Sequence, residues 1–475
     1  LTLASLARSR RGGKGVKGLS GRGGKGGSGR AGSRAGAGGR ARSGGGTFFR
    51  GRARQRLPCP AWRIVEGTKF VVDEFKAMPP PGCAGFFLSH FHADHYGGLT
   101  KSFSDGLIYC SQATANLVIS RLKVSAARLR PLPLGVPTEI AGVQVTLVDA
   151  NHCPGSVVFL FELPDGRKHL HTGDFRFAPE MLDAHNGLLR RAANVSTFQP
   201  SGSSSAPAGF TTCYLDTTYC DPQYTFPSQR AAIDFCVSAA RTEGFNAQST
   251  LFLVGSYTIG KEKVMLALSK AMDRPIYVEP AKHAVLSQLE MPAEDFARFT
   301  TDASATNLAA AKLHELTLGA LRVRKRKPHG GRVYTTIVAF KPTGWAMGRG
   351  GKRAPKKQKQ QRLAGAGPVS TLGMAEGVTK QQRDGCLIFS VPYSEHSSFT
   401  ELRAFIDATR PRRIVPTVNN SNPQKVNEML RLLRPSPLPS QPAPTASEPL
   451  AANAAAARTR TPLEMALAEA AAEAP

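Results

Sequence analysis

Four side chains that can bind a metal ion occur within six residues, in the sequence His90-Phe91-His92-Ala93-Asp94-His95. They follow an apolar run at residues 84–88, which predicts a short buried strand. If the extended geometry continues, His90 and His92 point the same way and can share one ion, while Asp94 and His95 turn toward a second. Because the chain has only 11 histidines, this spacing indicates a zinc hydrolase site rather than a histidine-rich surface loop.

Two further candidate ligands also follow predicted strands. The alternating run 143–148 ends just before His152, and the run 157–163 turns at Pro164-Asp165-Gly166 and returns toward Asp174. This second pattern predicts a hairpin. Taken singly, His152 and Asp174 could be ordinary loop residues. Together with the first cluster they complete a metal site, in which the Asp174 carboxylate suits a bridge between two ions.

Strand-like runs alternate with amphipathic segments along the middle of the chain, which predicts an α/β protein. Residues 229–241 can form a helix with one apolar face, and residues 251–255 predict a buried strand. The turn after that strand precedes another helical pattern and could hold a phosphate at the start of the helix. An ordinary strand-to-helix turn explains the same residues. The candidate phosphate ligands are Ser256, Thr258, Lys261 and Ser397.

The formal charge of +28 is unevenly distributed over the 475 residues. Residues 1–56 contain 15 Lys or Arg and no acid, with many glycines, a composition that predicts a disordered tail. A second run without acidic residues, 322–362, contains 14 Lys or Arg. Two such runs favour a polyanionic partner over a merely solvated surface.

Other features limit the cellular setting. No run approaches 18 apolar residues, so we expect no contact with a membrane. The eight cysteines form no Cys-x-x-Cys pair, which favours a reducing environment over a disulfide framework. The basic clusters 322–327 and 352–359 favour the nucleus, whereas the acid-free, Ser- and Arg-bearing residues 1–11 would suit an organellar transit peptide as the alternative. We expect a monomer, and the sequence identifies no protein partner.

Several long motifs share a resemblance to one family. The His90 to His95 loop, the His152 loop and Thr172-Gly173-Asp174 resemble the metallo-β-lactamase superfamily. Further motifs narrow the resemblance to its branch of DNA cross-link repair nucleases and Artemis, and the likeness runs from about Cys59 to about Asn420. These motifs are Val72-Asp73-Glu74-Phe75, Asp149-Ala150-Asn151-His152-Cys153-Pro154-Gly155, Leu215-Asp216-Thr217-Thr218-Tyr219-Cys220, Lys341-Pro342-Thr343-Gly344-Trp345 and Val391-Pro392-Tyr393-Ser394-Glu395-His396-Ser397-Ser398.

The resemblance implies a fold and a division into domains. The fold is an α/β, metallo-β-lactamase αββα sandwich with an inserted β-CASP α/β domain. We expect the sandwich at residues 57–221 and 386–434 and the insertion at 222–385. The basic Gly/Arg-rich tail, residues 1–56, precedes the sandwich, and a disordered Pro/Ala-rich tail, 435–475, follows it.

The same resemblance implies roles for the site residues. One zinc ion is held firmly by His90, His92, His152 and Asp174, and a second can bind to Asp94, His95 and Asp174. The catalytic candidates are Asp94, Asp216, His396 and Asp73, of which Asp73 is a buried support for the ligand loop.

One position bears on the choice of substrate. The family's third β-CASP motif has His in RNA-processing relatives and Val in the DNA-directed branch, and Val418 matches that position. This favours a zinc-dependent DNA nuclease, working 5′ to 3′ in cross-link or double-strand-break repair, and it weakens the second metal site. The alternatives are an RNA-processing nuclease and a scaffold without turnover. The scaffold would be expected to have lost ligands, yet all six are present.

The composition of the N-terminal tail leads to a prediction. Deleting residues 1–56 should weaken DNA binding most at low salt and flatten the slope of log affinity against log salt, because the tail supplies positive charge and only two aromatic rings, Phe48 and Phe49. The turnover number at saturating DNA should stay within about threefold, since no candidate ligand lies there. Salt titrations of the full and shortened chains measure both effects, and an unchanged slope would instead favour a targeting or spacer role.

Overall fold

The computed structural model describes residues 56–193, 209–244, 247–344 and 377–435. The expected tails, 1–56 and 435–475, therefore lie outside the described residues except for Arg56 and Pro435. The part of the second basic run beyond Gly344 also lies outside them. No helix in the described ranges is long and apolar enough to cross a membrane.

The described chain begins with a parallel four-stranded sheet in the order β1-β2-β3-β4. The strands are short, β1 to β3 are almost fully buried, and β2 lies within the apolar run predicted before the histidine cluster. The strands are β1 (Phe70–Val72), β2 (Gly85–Phe87), β3 (Ile108–Cys110) and β4 (Leu129–Pro131). Helix α1 (Gln112–Leu117) follows β3, and the Ser111 hydroxyl caps it by accepting from the Thr114 backbone N–H.

A second sheet follows directly, and its first four strands form an antiparallel meander. The predicted hairpin is present as β7 and β8, which turn through Pro164-Asp165-Gly166. These strands are β5 (Thr138–Ile140), β6 (Val143–Asp149), β7 (Val157–Glu162), β8 (Lys168–His171) and β9 (Thr212–Leu215). Helix α2 (Glu180–Ala193) lies between β8 and β9 and contains a non-helical break at residues 184–187.

The two sheets pack face to face, and β7 shows why its sequence is apolar throughout. Val157, Phe159 and Phe161 contribute to the core between the sheets, where the Phe161 ring lies 5.1 Å from that of Phe87. Val158 and Leu160 alternate with them and contribute to a core that includes residues of α2. A strand that is buried on both faces loses the polar half of the usual alternation.

The third sheet has seven strands in the order β12-β11-β13-β10-β14-β16-β15, and every pairing in it is parallel except β15 with β16. Its strands are β10 (Thr250–Ser256), β11 (Ile276–Tyr277), β12 (Phe299–Thr300), β13 (Leu308–Lys312), β14 (Thr336–Pro342), β15 (Thr379–Arg383) and β16 (Cys386–Val391). The helices in this region are α3 (Gln229–Thr242), α4 (Glu262–Met272), α5 (Pro280–Leu286), α6 (Ala293–Phe296) and α7 (Leu318–Lys325).

The chain then returns to the sandwich. Helix α8 (Phe399–Thr409) and helix α9 (Pro423–Leu432) bury Leu402, Phe405 and Met429 in the same core as α2. Between them β17 (Arg413–Pro416) pairs in parallel with β9 and completes the six-stranded sheet, β17-β9-β8-β7-β6-β5. The layers are therefore α1, two sheets, and then α2, α8 and α9, which is the expected αββα sandwich.

The end of the insertion differs from the expected boundary at residue 385. Strand β16 begins at Cys386, yet it pairs with β14 along its whole length, so it belongs to the seven-stranded sheet of the insertion. If each strand is assigned to the sheet in which it pairs, the chain returns to the sandwich only after Val391. Sequence motifs did not indicate this, because an apolar strand fits either sheet equally well before its partners are known.

Arg176 joins the sandwich to the segments that border the insertion. It is 1% exposed, and its guanidinium donates to the Glu401 carboxylate and to the carbonyl oxygens of Ser394 and Pro227. These acceptors lie at the start of α8, after β16 and before α3. One buried cation therefore holds three chain segments against the loop that follows β8.

This contact leads to a prediction about stability. Arg176→Met should lower the free energy of unfolding by about 3–5 kcal/mol, because it leaves buried acceptors and a carboxylate without their partner. The matched control is Arg190→Met, which removes an exposed ion pair with Asp183 and should cost at most about 1 kcal/mol. Urea unfolding measures both, and equal losses would contradict this role of Arg176.

Candidate metal centre

The candidate site residues lie directly after strands, and the fold brings those strand ends together. Asp73 follows β1, His90 follows β2, His152 follows β6, Asp174 follows β8 and Asp216 follows β9. His396 is different, because it follows β16 of the insertion. Both sheets of the sandwich and the inserted sheet therefore contribute to one site.

Two of these strand ends approach so closely that one of them must be glycine. Gly173, just before Asp174, has φ +54°, and a Cβ there would lie 2.6 Å from the Cβ of Ser89. This distance is shorter than van der Waals contact allows. Glycine at this position lets the end of β8 meet the end of β2.

His90, His92, His152 and Asp174 form a group whose ligand atoms all lie within 4.8 Å of one another. The Nδ1 atom of His92 lies 3.0 Å from His90 Nε2 and 3.1 Å from His152 Nε2. Two nitrogens bound to one tetrahedral zinc at about 2.0–2.1 Å would be roughly 3.3 Å apart. The spacing of the three imidazoles therefore fits a single ion.

In His152 and His90, the Nδ1 atom forms a hydrogen bond away from the cluster. This bond determines that Nε2, which faces the cluster, carries the lone pair. His152 Nδ1 donates to the Glu395 carbonyl oxygen at 2.7 Å, so its Nε2 is unprotonated in the neutral ring. Ser89 Oγ donates to Asp73 and accepts from His90 Nδ1, which leaves His90 Nε2 in the same state. A proton on His92 Nδ1 could form a hydrogen bond to only one of the two nitrogens, His90 Nε2 or His152 Nε2. A cation between the rings can instead accept the lone pairs of all three nitrogens.

The surroundings keep these imidazoles neutral. Burial lowers the pKa of His90 and of His152 well below the usual histidine value, and the neighbouring imidazoles add to this effect. Burial also lowers the pKa of His92, although Asp174 opposes the shift. Neutral rings are the form that binds a metal, so no proton has to be removed at neutral pH before binding.

The carboxylate of Asp174 lies at the centre of the site. Its Oδ2 atom is 3.3 Å from His95 Nε2, 3.7 Å from His90 Nε2 and 3.9 Å from the Nε2 atoms of His152 and His396. Burial opposes ionisation, but His95 and His396 hold the Asp174 pKa well below its usual range. The carboxylate is therefore ionised and borders more than one candidate ion position.

A second group contains Asp94, His95 and Asp174. Here His95 Nε2 faces Asp94 Oδ2 at 3.8 Å, and the Asp94 side chain is 44% exposed. This group offers one imidazole, against three in the first group, and its outer ligand is open to solvent. The geometry therefore makes it a poorer candidate metal position than the first group.

Asp73 supports both groups without joining either. It is buried, and its carboxylate accepts from the Ser89 backbone N–H at 2.8 Å, from the Ser89 hydroxyl at 2.7 Å and from His95 Nδ1 at 2.8 Å. Through these bonds it orients His90 and His95. Of the four catalytic candidates, Asp73 therefore lies behind the ligands, and its role as a support for the ligand loop stays a prediction. Ser89, the residue that connects it to His90, was missed because a lone serine carries no distinctive signal.

Asp216 and His396 form a pair at the edge of the metal cluster. His396 Nδ1 donates to Asp216 Oδ2 at 2.8 Å, while Asp216 Oδ1 accepts from the backbone N–H and the hydroxyl of Thr218. Burial opposes protonation of His396, but Asp216 and then Asp174 raise its pKa to about 9. The pairing with Asp216 therefore favours the protonated form of His396, whose Nε2 atom lies 3.9 Å from Asp174 Oδ2.

The expected phosphate ligands are only partly free to bind one. Lys261 Nζ lies 2.7 Å from Glu395 Oε2, and both side chains are buried. Ser397 Oγ donates to the Phe175 carbonyl and accepts from the Phe177 N–H, while Thr258 is exposed and Ser256 is buried. A phosphate at this turn would compete with Glu395 for Lys261, so the pocket stays a prediction. Sequence reasoning missed Glu395, although it lies within the quoted motif.

Comparison with known proteins now identifies the class. Residues 293–422 match the family model described as DNA repair metallo-beta-lactamase. The DNA cross-link repair protein SNM1 of Arabidopsis thaliana is 38% identical over 369 residues, which cover 77% of this chain and 67% of that protein. The DNA cross-link repair 1A protein of Homo sapiens is 36% identical over 365 residues, which cover 77% of this chain and 31% of that protein.

A third relative is the 5′ exonuclease Apollo of Gallus gallus, which is 32% identical over 356 residues that cover 75% of this chain and 63% of that protein. The class defined by the fold and the site is that of metallo-β-lactamase proteins. Within it, the chain belongs to the DNA repair metallo-β-lactamase family. The chain spans about two thirds of the plant relative but only about a third of the human one.

The contacts of Asp73 lead to a prediction about the metal. Asp73→Asn should lower metal affinity and activity by about 10–100-fold, because an amide cannot accept all three hydrogen bonds that hold Ser89 and His95. Asp165→Asn, at the exposed turn between β7 and β8, is the matched control and should change neither. Metal titration followed by elemental analysis measures the effect. Wild-type affinity in Asp73→Asn would show that the ligands are positioned without it.

Proposed function

We propose that this chain is a zinc-dependent DNA nuclease that works from a 5′ end in the repair of cross-links or double-strand breaks. The observation that carries the proposal is the convergence of three imidazoles on one carboxylate, Asp174, beside the hydrogen-bonded pair of Asp216 and His396. Three nitrogen ligands favour zinc over magnesium, which prefers oxygen. The relatives named for DNA cross-link repair and for 5′ exonuclease activity support the choice of substrate.

Each residue has a role in this proposal. His90, His92, His152 and Asp174 would hold the ion, which when bound would activate water at neutral pH and polarise a phosphoryl oxygen. Asp216 fixes the tautomer of His396 and favours its protonated state, so that Nε2 can donate a proton to the leaving oxygen. Asp94 lies at the open side of the cluster, where it can orient the attacking water or contribute to a second ion.

The preference for DNA over RNA rests on Val418. The Thr217 hydroxyl donates to the Val418 carbonyl at 2.6 Å, so Val418 lies beside the loop that carries Asp216. The resemblance expects the third β-CASP motif in this region, and valine there supports the DNA-directed branch. An RNA-processing nuclease is the second candidate, and a scaffold without turnover is the third.

A repair role on DNA suggests a nuclear protein, and the basic cluster that includes the exposed Arg322, Arg326 and Lys327 suits nuclear import. Import into an organelle is the alternative. Imaging of the tagged chain, with and without residues 1–56, distinguishes the two. Deleting these residues should abolish import into an organelle but should leave nuclear import intact.

The substrate is tested with purified chain on 5′-phosphorylated and 5′-hydroxyl oligonucleotides, both DNA and RNA, single- and double-stranded. We expect shortening of DNA from the 5′ end, with RNA a poorer substrate. Preferred cleavage of RNA would replace the proposal with the second candidate. If the chain binds DNA but cleaves none at any metal concentration, the third candidate, a scaffold without turnover, would replace the proposal.

The metal is tested on the same preparation. Chelation should abolish cleavage, and His90→Ala or Asp94→Asn should each lower turnover at least ~100-fold. Elemental analysis after dialysis should give nearer one zinc than two, since the second group has one imidazole and an exposed carboxylate. Full activity in His90→Ala would exclude the proposed ligand set, and two retained zinc ions would show that the second site is stronger than we infer.

A further inference from the structure

One aromatic side chain near the site is exposed without an evident structural reason. Among the large hydrophobic side chains exposed in the described ranges, Tyr257 is the one aromatic ring, and it is 45% exposed. The others are aliphatic or methionine. Exposing a ring of this size loses hydrophobic free energy that burial would provide.

The strand register places Tyr257 at the same edge of the inserted sheet as His396, the edge formed by the carboxyl ends of the parallel strands. In the parallel strands β10, β14 and β16, Val254 is paired with Phe340, and Phe340 with Phe389. Three residues further on, Tyr257 is level with Thr343 and Pro392, at the carboxyl ends of the strands. Neighbouring strands are about 4.8 Å apart, so the Tyr257 backbone lies roughly 10 Å from the segment that leads to His396.

Side-chain contacts agree with this location. Lys261 Nζ lies 5.9 Å from the Tyr257 ring and 2.7 Å from Glu395 Oε2, and the backbone oxygen of Glu395 accepts from the metal-site residue His152. The exposed ring thus borders the candidate active site.

The backbone beneath the ring is firmly held. Lys282 Nζ donates to the carbonyl oxygens of Tyr257 and Thr258, each at 3.0 Å, and pairs with Glu262 at 2.9 Å. Glu262 in turn accepts from the Gly260 N–H at 2.7 Å. A ring on a fixed turn loses little conformational entropy when a ligand covers it.

We propose that Tyr257 stacks on an unpaired nucleobase of the strand held in the active site, and this rests on the proposed nuclease function. Every base has a π face, so the contact would position the strand without reading its sequence. It would also favour ends that are single-stranded or frayed, because a base must leave its duplex stack before it can cover the ring. The ligand class is therefore an unstacked nucleotide next to the scissile phosphate.

The test pairs a protein change with a DNA change. The variants are Tyr257→Ala and Tyr257→Phe, and the DNA is single-stranded, either intact or with a tetrahydrofuran abasic site at each of the first three nucleotides. Tyr257→Ala should lower kcat/KM on intact DNA about 5- to 150-fold, the range equivalent to ~1–3 kcal/mol per stacked base, while Tyr257→Phe stays within about threefold of wild type. At one position the abasic site should impair the wild type by a similar factor and leave Tyr257→Ala unaffected.

Equal losses from the abasic site in wild type and in Tyr257→Ala would overturn the proposal, as would a loss in Tyr257→Phe as large as in Tyr257→Ala. The same comparison can be made by binding alone. Dissociation constants for intact and abasic DNA are measured for proteins that carry His90→Ala together with each residue at position 257. Stacking can thus be tested even if the chain cleaves no DNA. Thermal unfolding of both variants should match the wild type, because the side chain is exposed.

Discussion

Repulsion among like groups in a small buried volume is the constraint on which the rest of the site depends. Three inward-facing imidazole nitrogens, those of His90, His92 and His152, lie close to one another in this volume. Such an arrangement is unfavourable without a cation and becomes favourable when one binds. The fold must therefore hold these imidazoles together against the repulsion between their nitrogen atoms. The contacts around the rings provide the necessary support.

Those contacts form a second layer that holds three of the candidate ligands and His396. Asp73 and Ser89 orient His90 and His95, the Glu395 carbonyl orients His152, and Asp216 orients His396. Glu395 also pairs with Lys261 at the start of α4. The inserted domain therefore contributes to the geometry of the metal site itself, because it supports a ligand that the sandwich supplies.

The insertion also shapes the approach to the site. The parallel strands β10, β14 and β16 end at the edge of the inserted sheet where His396 lies, so the turns after them lie near the metal cluster. Tyr257 projects from one of these turns, while Arg176 holds the segment after β16 against the sandwich. The site therefore places metal-binding residues of the sandwich beside residues of the inserted sheet.

The sequence alone predicted a cluster of metal-binding residues after strand ends, because four such residues in six are a local pattern, and the fold brings them together. The resemblance to a known family predicted the sandwich. The sequence could not assign β16 to the inserted sheet, since an apolar strand does not specify its neighbours. Nor could it reveal that Glu395 neutralises Lys261, that Ser89 connects Asp73 to His90, or that Tyr257 is exposed. Those facts depend on residues far apart in the chain, so only the tertiary structure decided them.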